Sequence, residues 1–265
     1  MKESVHVSNF DLVVLGGGSG GYAAALRGAQ LGLSVALVEA DKLGGTCLHR
    51  GCIPTKALLH AGEIADGARD ASHFGVNAQF LSMDMPAVNS YKDGVIARLH
   101  KGLQGLVKSR NITFIEGHGK LVAKDAVEVN GTRYTGKNIL LATGSYARTL
   151  PGLDIDGKRV ITSDQAIKME YVPKSVIVLG GGVIGCEFAS VWKSFGAEVT
   201  IIEGLPHLVA LEDESSSKQL ERAYRKRGIN FELGVRFKSH TVTADGVTVE
   251  LEDGRTFSAE LLLVS

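Results

Sequence analysis

An α/β fold built on two copies of one strand–glycine turn–helix–strand unit is expected from three features of the 265-residue chain. The apolar run Asp11-Leu12-Val13-Val14-Leu15 leads directly into Gly16-Gly17-Gly18-Ser19-Gly20-Gly21. The same pattern returns as Ser175-Val176-Ile177-Val178-Leu179 before Gly180-Gly181-Gly182-Val183-Ile184-Gly185. Elsewhere, strand-like and helix-like patterns alternate along the chain, as in layered α/β proteins.

Composition narrows the class. Hydrophobic residues make up 44% and charged residues 22%, with 29 basic and 29 acidic side chains. This is the profile of an ordinary soluble protein with one large or two medium domains. The balanced charge offers no basic patch for nucleic acid. The N-terminal residues lack a signal-peptide core, and no apolar run reaches membrane-spanning length. A cytoplasmic protein with no nucleic-acid or membrane partner is expected. Three cysteines do not make a secreted disulfide scaffold, so a working disulfide here is expected to be catalytic. The histidines show no metal-ligand spacing, and no metal is expected.

The first unit runs from the Leu12–Leu15 strand through the glycine turn to the small-residue helix Tyr22–Leu31. It closes on Ser34-Val35-Ala36-Leu37-Val38-Glu39. Strand, G-x-G-x-x-G, helix, strand and terminal acid form the dinucleotide-binding fingerprint of a Rossmann-like domain. Gly16, Gly18 and Gly21 let backbone amides approach a pyrophosphate at the helix N-terminus. Glu39 is placed to accept from a ribose diol. In the second unit Gly180, Gly182 and Gly185 repeat the turn and Glu203 repeats the acid, each 164 positions after its counterpart. Two fingerprints in one register imply two dinucleotides.

Between them, Leu43-Gly44-Gly45-Thr46-Cys47-Leu48-His49-Arg50-Gly51-Cys52-Ile53-Pro54-Thr55-Lys56 carries two of the cysteines ahead of a helix with Pro54 in its first turn. Residues 74–86 read as irregular. Residues 87–108 read as helix, with Val88, Tyr91, Val95, Leu99, Leu103, Leu106 and Val107 as a core-facing stripe. Leu121–Val129, the turn Asn130-Gly131 and the segment from Tyr134 read as a hairpin. Asn138–Ser145 reads as a buried strand running into a small-residue turn, and Tyr146–Asp156 as a linker. After Glu203, a charged helix spans Glu214–Arg227. Strands follow at Ile229–Leu233, Val235–His240, Thr241–Ala244, Val247–Glu252 and from Thr256, and the last residues, Leu261–Ser265, are an apolar strand. His49 and Arg50 read as exposed loop residues, Cys186 as a small buried filler, and Phe188, Trp192 and Phe195 as helix packing.

Two dinucleotides and one Cys pair suggest a specific chemistry. A nicotinamide cofactor carries hydride, a disulfide takes two electrons through thiolates, and hydride does not pass readily to sulfur. A flavin is the natural converter, so FAD is expected on the first fingerprint and NAD on the second. A helix start and the nearby cation Lys56 would lower the Cys52 thiol pKa. Glu203 favours NAD, because an acid at that strand end bonds the ribose 2′-OH and repels a 2′-phosphate.

The stretch Gly44–Lys56 resembles the active-site motif of the flavin disulfide reductases, and within that family the dihydrolipoamide dehydrogenase branch. Both fingerprints, Ala142-Thr143-Gly144-Ser145 and Gly180 to Glu187 match as well, so the resemblance covers essentially the whole chain. It implies three-layer ββα FAD- and NAD(P)-binding domains: an FAD domain over residues 1–147 and an NAD domain over 148–265. It implies that Cys47 meets the substrate and that Cys52 faces the flavin. Lys56 would lie near flavin and pair with Glu187. Gly16, Gly18, Gly21, Glu39, Thr46, Gly119, Thr143, Gly144 and Ser145 would contact FAD. Gly180, Gly182, Val183, Ile184, Gly185, Glu187, Glu203 and Phe237 would line the NAD site. His49-Arg50 departs from the commoner Asn-Val between the cysteines. The implied partners are a second copy of the chain and the lipoyl domain of a 2-oxo acid dehydrogenase or glycine cleavage complex. The family's acid–base His and its Glu belong to a C-terminal dimerisation domain that is absent from this sequence. The chain is therefore expected to be a fragment, truncated within its NAD domain and short of full activity. The same core would suit glutathione, mycothione or mercuric reductases, or a non-catalytic FAD- and NAD-binding module.

Overall fold

The computed structural model describes residues 7–265. Backbone contacts divide the chain into two compact units, one holding residues up to Pro54 with Asp93–Tyr146, the other Thr55–Lys92 with Ala147–Ser265. The sequence-based division at 147 has nearly the same main boundary, but residues 55–92 group with the second unit. The reason is apolar: Leu58 and Met85 are buried in that unit's core.

The first unit begins β1 (Val7–Leu15), α1 (Ser19–Gln30), β2 (Val35–Glu39), α2 (Gly45–His49) and the start of α3 (Cys52–Asp70). The chain returns along α4 (Met85–Ser109) into β3 (Thr113–Glu116), β4 (Gly119–Ala123), β5 (Ala126–Val129) and β6 (Thr132–Leu141). The sheet order is β3-β2-β1-β6-β5-β4. The first four strands are parallel and the last pairings antiparallel. Successive side chains of a strand point to opposite faces. Val14, Val35 and Leu37 therefore join the core with Ala25, Leu103 and Val107, while Val13, Leu15, Ala36 and Val38 face Ile115 and Val127. Burial on both faces is why the strands read as unbroken apolar runs.

The second unit adds β7 (Val160–Ile161), α5 (Ser163–Ala166), β8 (Ser175–Leu179), α6 (Val183–Phe195), β9 (Glu198–Glu203), α7 (Glu214–Arg227), β10 (Asn230–Leu233), β11 (Phe237–Val242), β12 (Val247–Leu251), β13 (Thr256–Ala259) and β14 (Leu261–Val264). A five-stranded parallel sheet has the order β10-β9-β8-β14-β7, and β11-β12-β13 form a separate antiparallel sheet. One face of the parallel sheet packs Val176, Val178, Ile201 and Leu263 against Phe188 and Trp192 of α6. Its other face packs Ile177, Ile202 and Leu262 against Val249 and Leu251 of β12. Helices, parallel sheet and antiparallel sheet give the three layers expected. Cys186, Phe188, Trp192 and Phe195 are all buried, as their filler and packing roles require.

Several local expectations need correction. Leu121–Val129 is two strands, because Ala123 pairs with Ala126 across a tight turn at 124–125. The expected strands Val235–His240 and Thr241–Ala244 are one strand, β11. The strand from Asn138 ends at Leu141 and runs into a turn as expected, but it is not buried: Asn138 and Leu141 are exposed and Ile139 and Leu140 half-buried. On α4, Leu103 and Val107 are buried but Tyr91, Leu99 and Leu106 are 46%, 41% and 49% exposed. The buried line instead passes through Met85, Lys92, Leu103 and Val107, a rotation of the expected stripe around the helix. His49 closes α2 rather than lying in a loop, and its ring is half-buried. Strand β7 and helix α5 were not expected. The signal for α5 was available: Thr162 and Gln165 form a capping box, with Thr162 N–H donating to Gln165 Oε1 at 2.9 Å. Among the described residues no helix is long and apolar enough to cross a membrane.

Phe188 is 1% exposed at the centre of the second unit's larger core. Phe188→Ala is expected to lower unfolding free energy by about 3–5 kcal/mol. Urea unfolding of the variant beside the parent checks this, and an unchanged midpoint would contradict the packing described.

Candidate functional site

Each glycine turn is shaped by a strand end crossing it. Gly16 adopts φ +106°, and a Cβ there would collide with the Ala142 carbonyl. Gly180 adopts φ +113°, and a Cβ there would collide with the Ser265 carbonyl. Matching bonds seal both crossings: Ala142 N–H donates to Leu15 O at 2.8 Å, and Ser265 N–H to Leu179 O at 3.0 Å. Gly18 and Gly182 then open α1 and α6 as extended N-caps without any side-chain cap. No side chain caps the first-turn amides of either helix, and a Cβ on Gly20 or Gly182 would meet no atom within 4 Å. Uncapped amides beside open backbone suit a pyrophosphate.

The two strand-end acids are built into their turns in the same way. Glu39 Oε2 accepts from Gly17 N–H at 2.7 Å and its Oε1 from Asp41 N–H at 2.8 Å. Glu203 Oε2 accepts from Gly181 N–H at 2.5 Å and its Oε1 from Leu205 N–H at 2.7 Å. Each carboxylate is thereby held beside its glycine turn with lone pairs to spare for hydroxyl donors.

The cysteine stretch lies against the first turn. Gly44 N–H donates to Gly17 O at 2.8 Å, and a Cβ on Gly45 would strike the Gly18 backbone. Cys47, on the one-turn α2, and Cys52, the first residue of the 19-residue α3, are joined as a disulfide with Cα atoms 4.7 Å apart. Cys47 is half-buried and Cys52 exposed. Four residues along α3, Lys56 Nζ donates to Glu187 Oε1 of α6 at 2.5 Å. Lys56 is 56% exposed and Glu187 22%. Thr46 and Thr143, Gly144 and Ser145 are exposed in the first unit, and Val183 and Ile184 are exposed at the start of α6. Gly119 opens β4 among Leu15, Val38 and Val127, whose side chains leave no room for a Cβ. Phe237 is half-buried against the second unit's smaller core. Residues assigned to the first dinucleotide other than Lys56 thus share one unit, and those assigned to the second share the other.

Residues 10–265 match the pyridine nucleotide-disulphide oxidoreductase family. The chain belongs to that family. It is 42% identical to dihydrolipoyl dehydrogenase of Bacillus subtilis (strain 168), over 97% of this chain and 58% of that protein. It is 38% identical to leghemoglobin reductase of Glycine max, over 96% and 51%. Among solved structures, LpdA from Mycobacterium tuberculosis superposes with a TM-score of 0.87 at 27% identity, over 97% of this chain and 58% of that one. The HOCl-induced flavoprotein disulfide reductase RclA from Escherichia coli gives a TM-score of 0.78 at 26% identity, over 96% and 56%. The chain spans about half the length of the curated relatives it matches.

Around this family framework lie groups that sequence patterns did not reveal. His49, between the two cysteines, has Nε2 2.9 Å from Leu43 O, and its ring meets His100 of α4 edge-on at 4.8 Å. Partial burial first, then the charges of His49 and Lys42, hold His100 below the ordinary histidine value. Fifty residues separate this pair, so only the fold reveals it. In the second unit, burial and the negative charges of Glu203 and Glu187 push the Cys186 thiol up to about 12, so it stays a neutral packing group. Tyr224 of α7 donates to Cys186 O at 2.6 Å, and burial pushes its phenol up as well.

Because the folded state disfavours His100 protonation, its contribution to stability is complete above pH 6.5 and is lost as pH falls through the lower folded value. Proton NMR titration is expected to place the His100 midpoint below 6.5, and His49→Asn to move it upward. A midpoint that ignores His49 would remove the coupling.

Proposed function

We propose that the protein to which this chain belongs is a dihydrolipoyl dehydrogenase, oxidising protein-bound dihydrolipoamide with NAD as acceptor. The observation that carries the reading is the Cys47–Cys52 disulfide at the start of α3, its stretch bonded to the first glycine turn. Relatives bearing this name at 37–42% identity support the lipoyl substrate over other disulfides. FAD- and NAD(P)-dependence is the rule in this family.

The uncapped α1 start, Gly16, Gly18, Gly21, Glu39, Thr46, Gly119 and Thr143–Ser145 would hold FAD, with Lys56 near its reacting ring. Gly180, Gly182, Val183, Ile184, Gly185, Glu187, Glu203 and Phe237 would hold NAD. When bound, FAD supplies the two-electron carriage between dithiol and NAD that thiols lack. The chain's own chemistry is thiol–disulfide exchange. A substrate thiolate attacks Cys47 Sγ, the Cys47–Cys52 bond breaks, and its electron pair leaves on Cys52. The α3 N-terminus and the Lys56 cation favour that thiolate. The second substrate thiolate then closes the lipoyl ring and releases Cys47. The substrate loses two electrons and two protons, and the cysteine pair gains the electrons. The partners are a second copy of the full-length protein and the lipoyl domain of a 2-oxo acid dehydrogenase or glycine cleavage complex, in the cytoplasm.

In the full-length protein, Cys47→Ser is expected to cut dihydrolipoamide-dependent NAD reduction at least about a thousandfold while FAD absorbance remains. Turnover near the parent rate would overturn the assignment of Cys47. Kinetics with both nucleotides are expected to favour NAD over NADP by about ten- to a hundredfold, and Glu203→Gln to erase most of that margin. Equal rates in the parent would exclude Glu203 as the selector.

A further inference from the structure

Within the second unit, α3 and α6 approach closely at one point. Gly62 of α3 faces Ser194 of α6, and a Cβ on Gly62 would lie 2.9 Å from Ser194 Cβ and 3.3 Å from its Oγ. Next to this contact is a polar cluster that the dinucleotide sites do not use. Ser194, 4% exposed, donates through Oγ to Asp66 Oδ2 at 2.6 Å. Arg69 Nη1 donates to Asp66 Oδ1 at 2.8 Å and to Ser194 O at 2.6 Å. Arg227, the last residue of α7, donates through Nη2 to Ser194 Oγ at 2.7 Å, Ser190 O at 3.3 Å and Asp66 Oδ2 at 3.5 Å, and through Nη1 to Ser190 Oγ at 2.6 Å. Three helices are joined through one carboxylate and one hydroxyl.

We infer that Gly62, Asp66, Ser194 and Arg227 form a clamp that sets the height of α3 on α6 and thereby delivers Lys56 to Glu187. The same two helices carry both pairs. Glu187 and Ser194 are seven residues apart, two turns along one face of α6, and Gly62 and Asp66 are successive turns of one face of α3. The Lys56–Glu187 pair cannot hold the helices in place itself. Lys56 is more than half exposed, and ion pairs of that kind contribute little to stability. The clamp is part-buried, mostly charge-assisted and multiply bonded, so it is the stronger constraint. Its members touch no reacting atom and are positioning residues. The consequence is electrostatic: Glu187 neutralises the cation one turn beyond Cys52, so loss of register leaves Lys56 charge unopposed and favours the dithiolate form of the pair.

This inference rests on the proposed reading of Cys47–Cys52 as a redox pair supported by Lys56 and Glu187. The test is the reduction equilibrium of Cys47–Cys52 in the full-length protein, poised against mixtures of reduced and oxidised dithiothreitol and read by maleimide mass shift. Glu187→Gln, Asp66→Asn and Gly62→Ala are expected to shift it in one direction, toward the dithiol. The shift is about tenfold, equal to about 30 mV for two electrons. Asp66→Asn added to Glu187→Gln is expected to add nothing further. Gly67→Ala, on the same helix with open space around it, is expected to leave the equilibrium unchanged. Asp66→Asn preserves shape and keeps the test valid if Gly62→Ala fails to fold. A parent-like equilibrium in Asp66→Asn, beside a shifted Glu187→Gln, overturns the clamp alone. Parent-like values in both Glu187→Gln and Lys56→Met overturn the electrostatic reading of the pair, and the clamp's redox role with it.

Discussion

The architecture of both units depends on one backbone crossing. A strand end passes so close to the first glycine of each turn that its carbonyl occupies the place of a Cβ, at Gly16 beneath Ala142 and at Gly180 beneath Ser265. Only a residue without Cβ, at positive φ, permits that approach. From the crossing follow the strand neighbours, the extended caps Gly18 and Gly182, and the direction in which α1 and α6 present their amides. The acids complete the arrangement. Glu39 and Glu203 tie the glycine turn to the turn after the second strand through two N–H donors each. An acid at that position is therefore a structural brace.

The cysteine stretch is attached to the first of these turns rather than standing apart from it. The bond from Gly44 to Gly17 seats α2 on the glycine turn, and the disulfide then connects α2 to the first residue of α3. Helix α3 carries the cation Lys56 and, further along, the face that packs on α6. Within the first unit, a glycine turn and a disulfide are thus linked through short elements.

Much of this was legible because the chemistry demands local patterns. Glycine turns, strand-end acids and paired cysteines carry their signal within a few residues, and the constant spacing from Gly16 to Gly180 and from Glu39 to Glu203 exposed the duplication directly. Less legible were features whose partners are far apart in sequence. The buried line on α4 is rotated from the expected stripe, with Leu103 and Val107 in both, because apolar periodicity records that a face is buried without recording which neighbours bury it. Tyr91, Leu99 and Leu106 satisfy the period yet remain exposed. The short strand β7 carries too few residues for any periodicity. Its place at the sheet edge comes from pairing with β14, about a hundred residues later.

By itself the sequence determined the two strand–glycine turn–helix–strand folds, the pair of cysteines ahead of α3 and the acid that ends each second strand. These rest on steric and electrostatic requirements satisfied within single supersecondary units. Only the tertiary structure decided that residues 55–92 pack with the second unit, that His49 meets His100, and that Gly62 and Asp66 meet Ser194 and Arg227. Each of those outcomes depends on which surfaces close against one another, and a contact between distant segments leaves no spacing in the chain from which to read it.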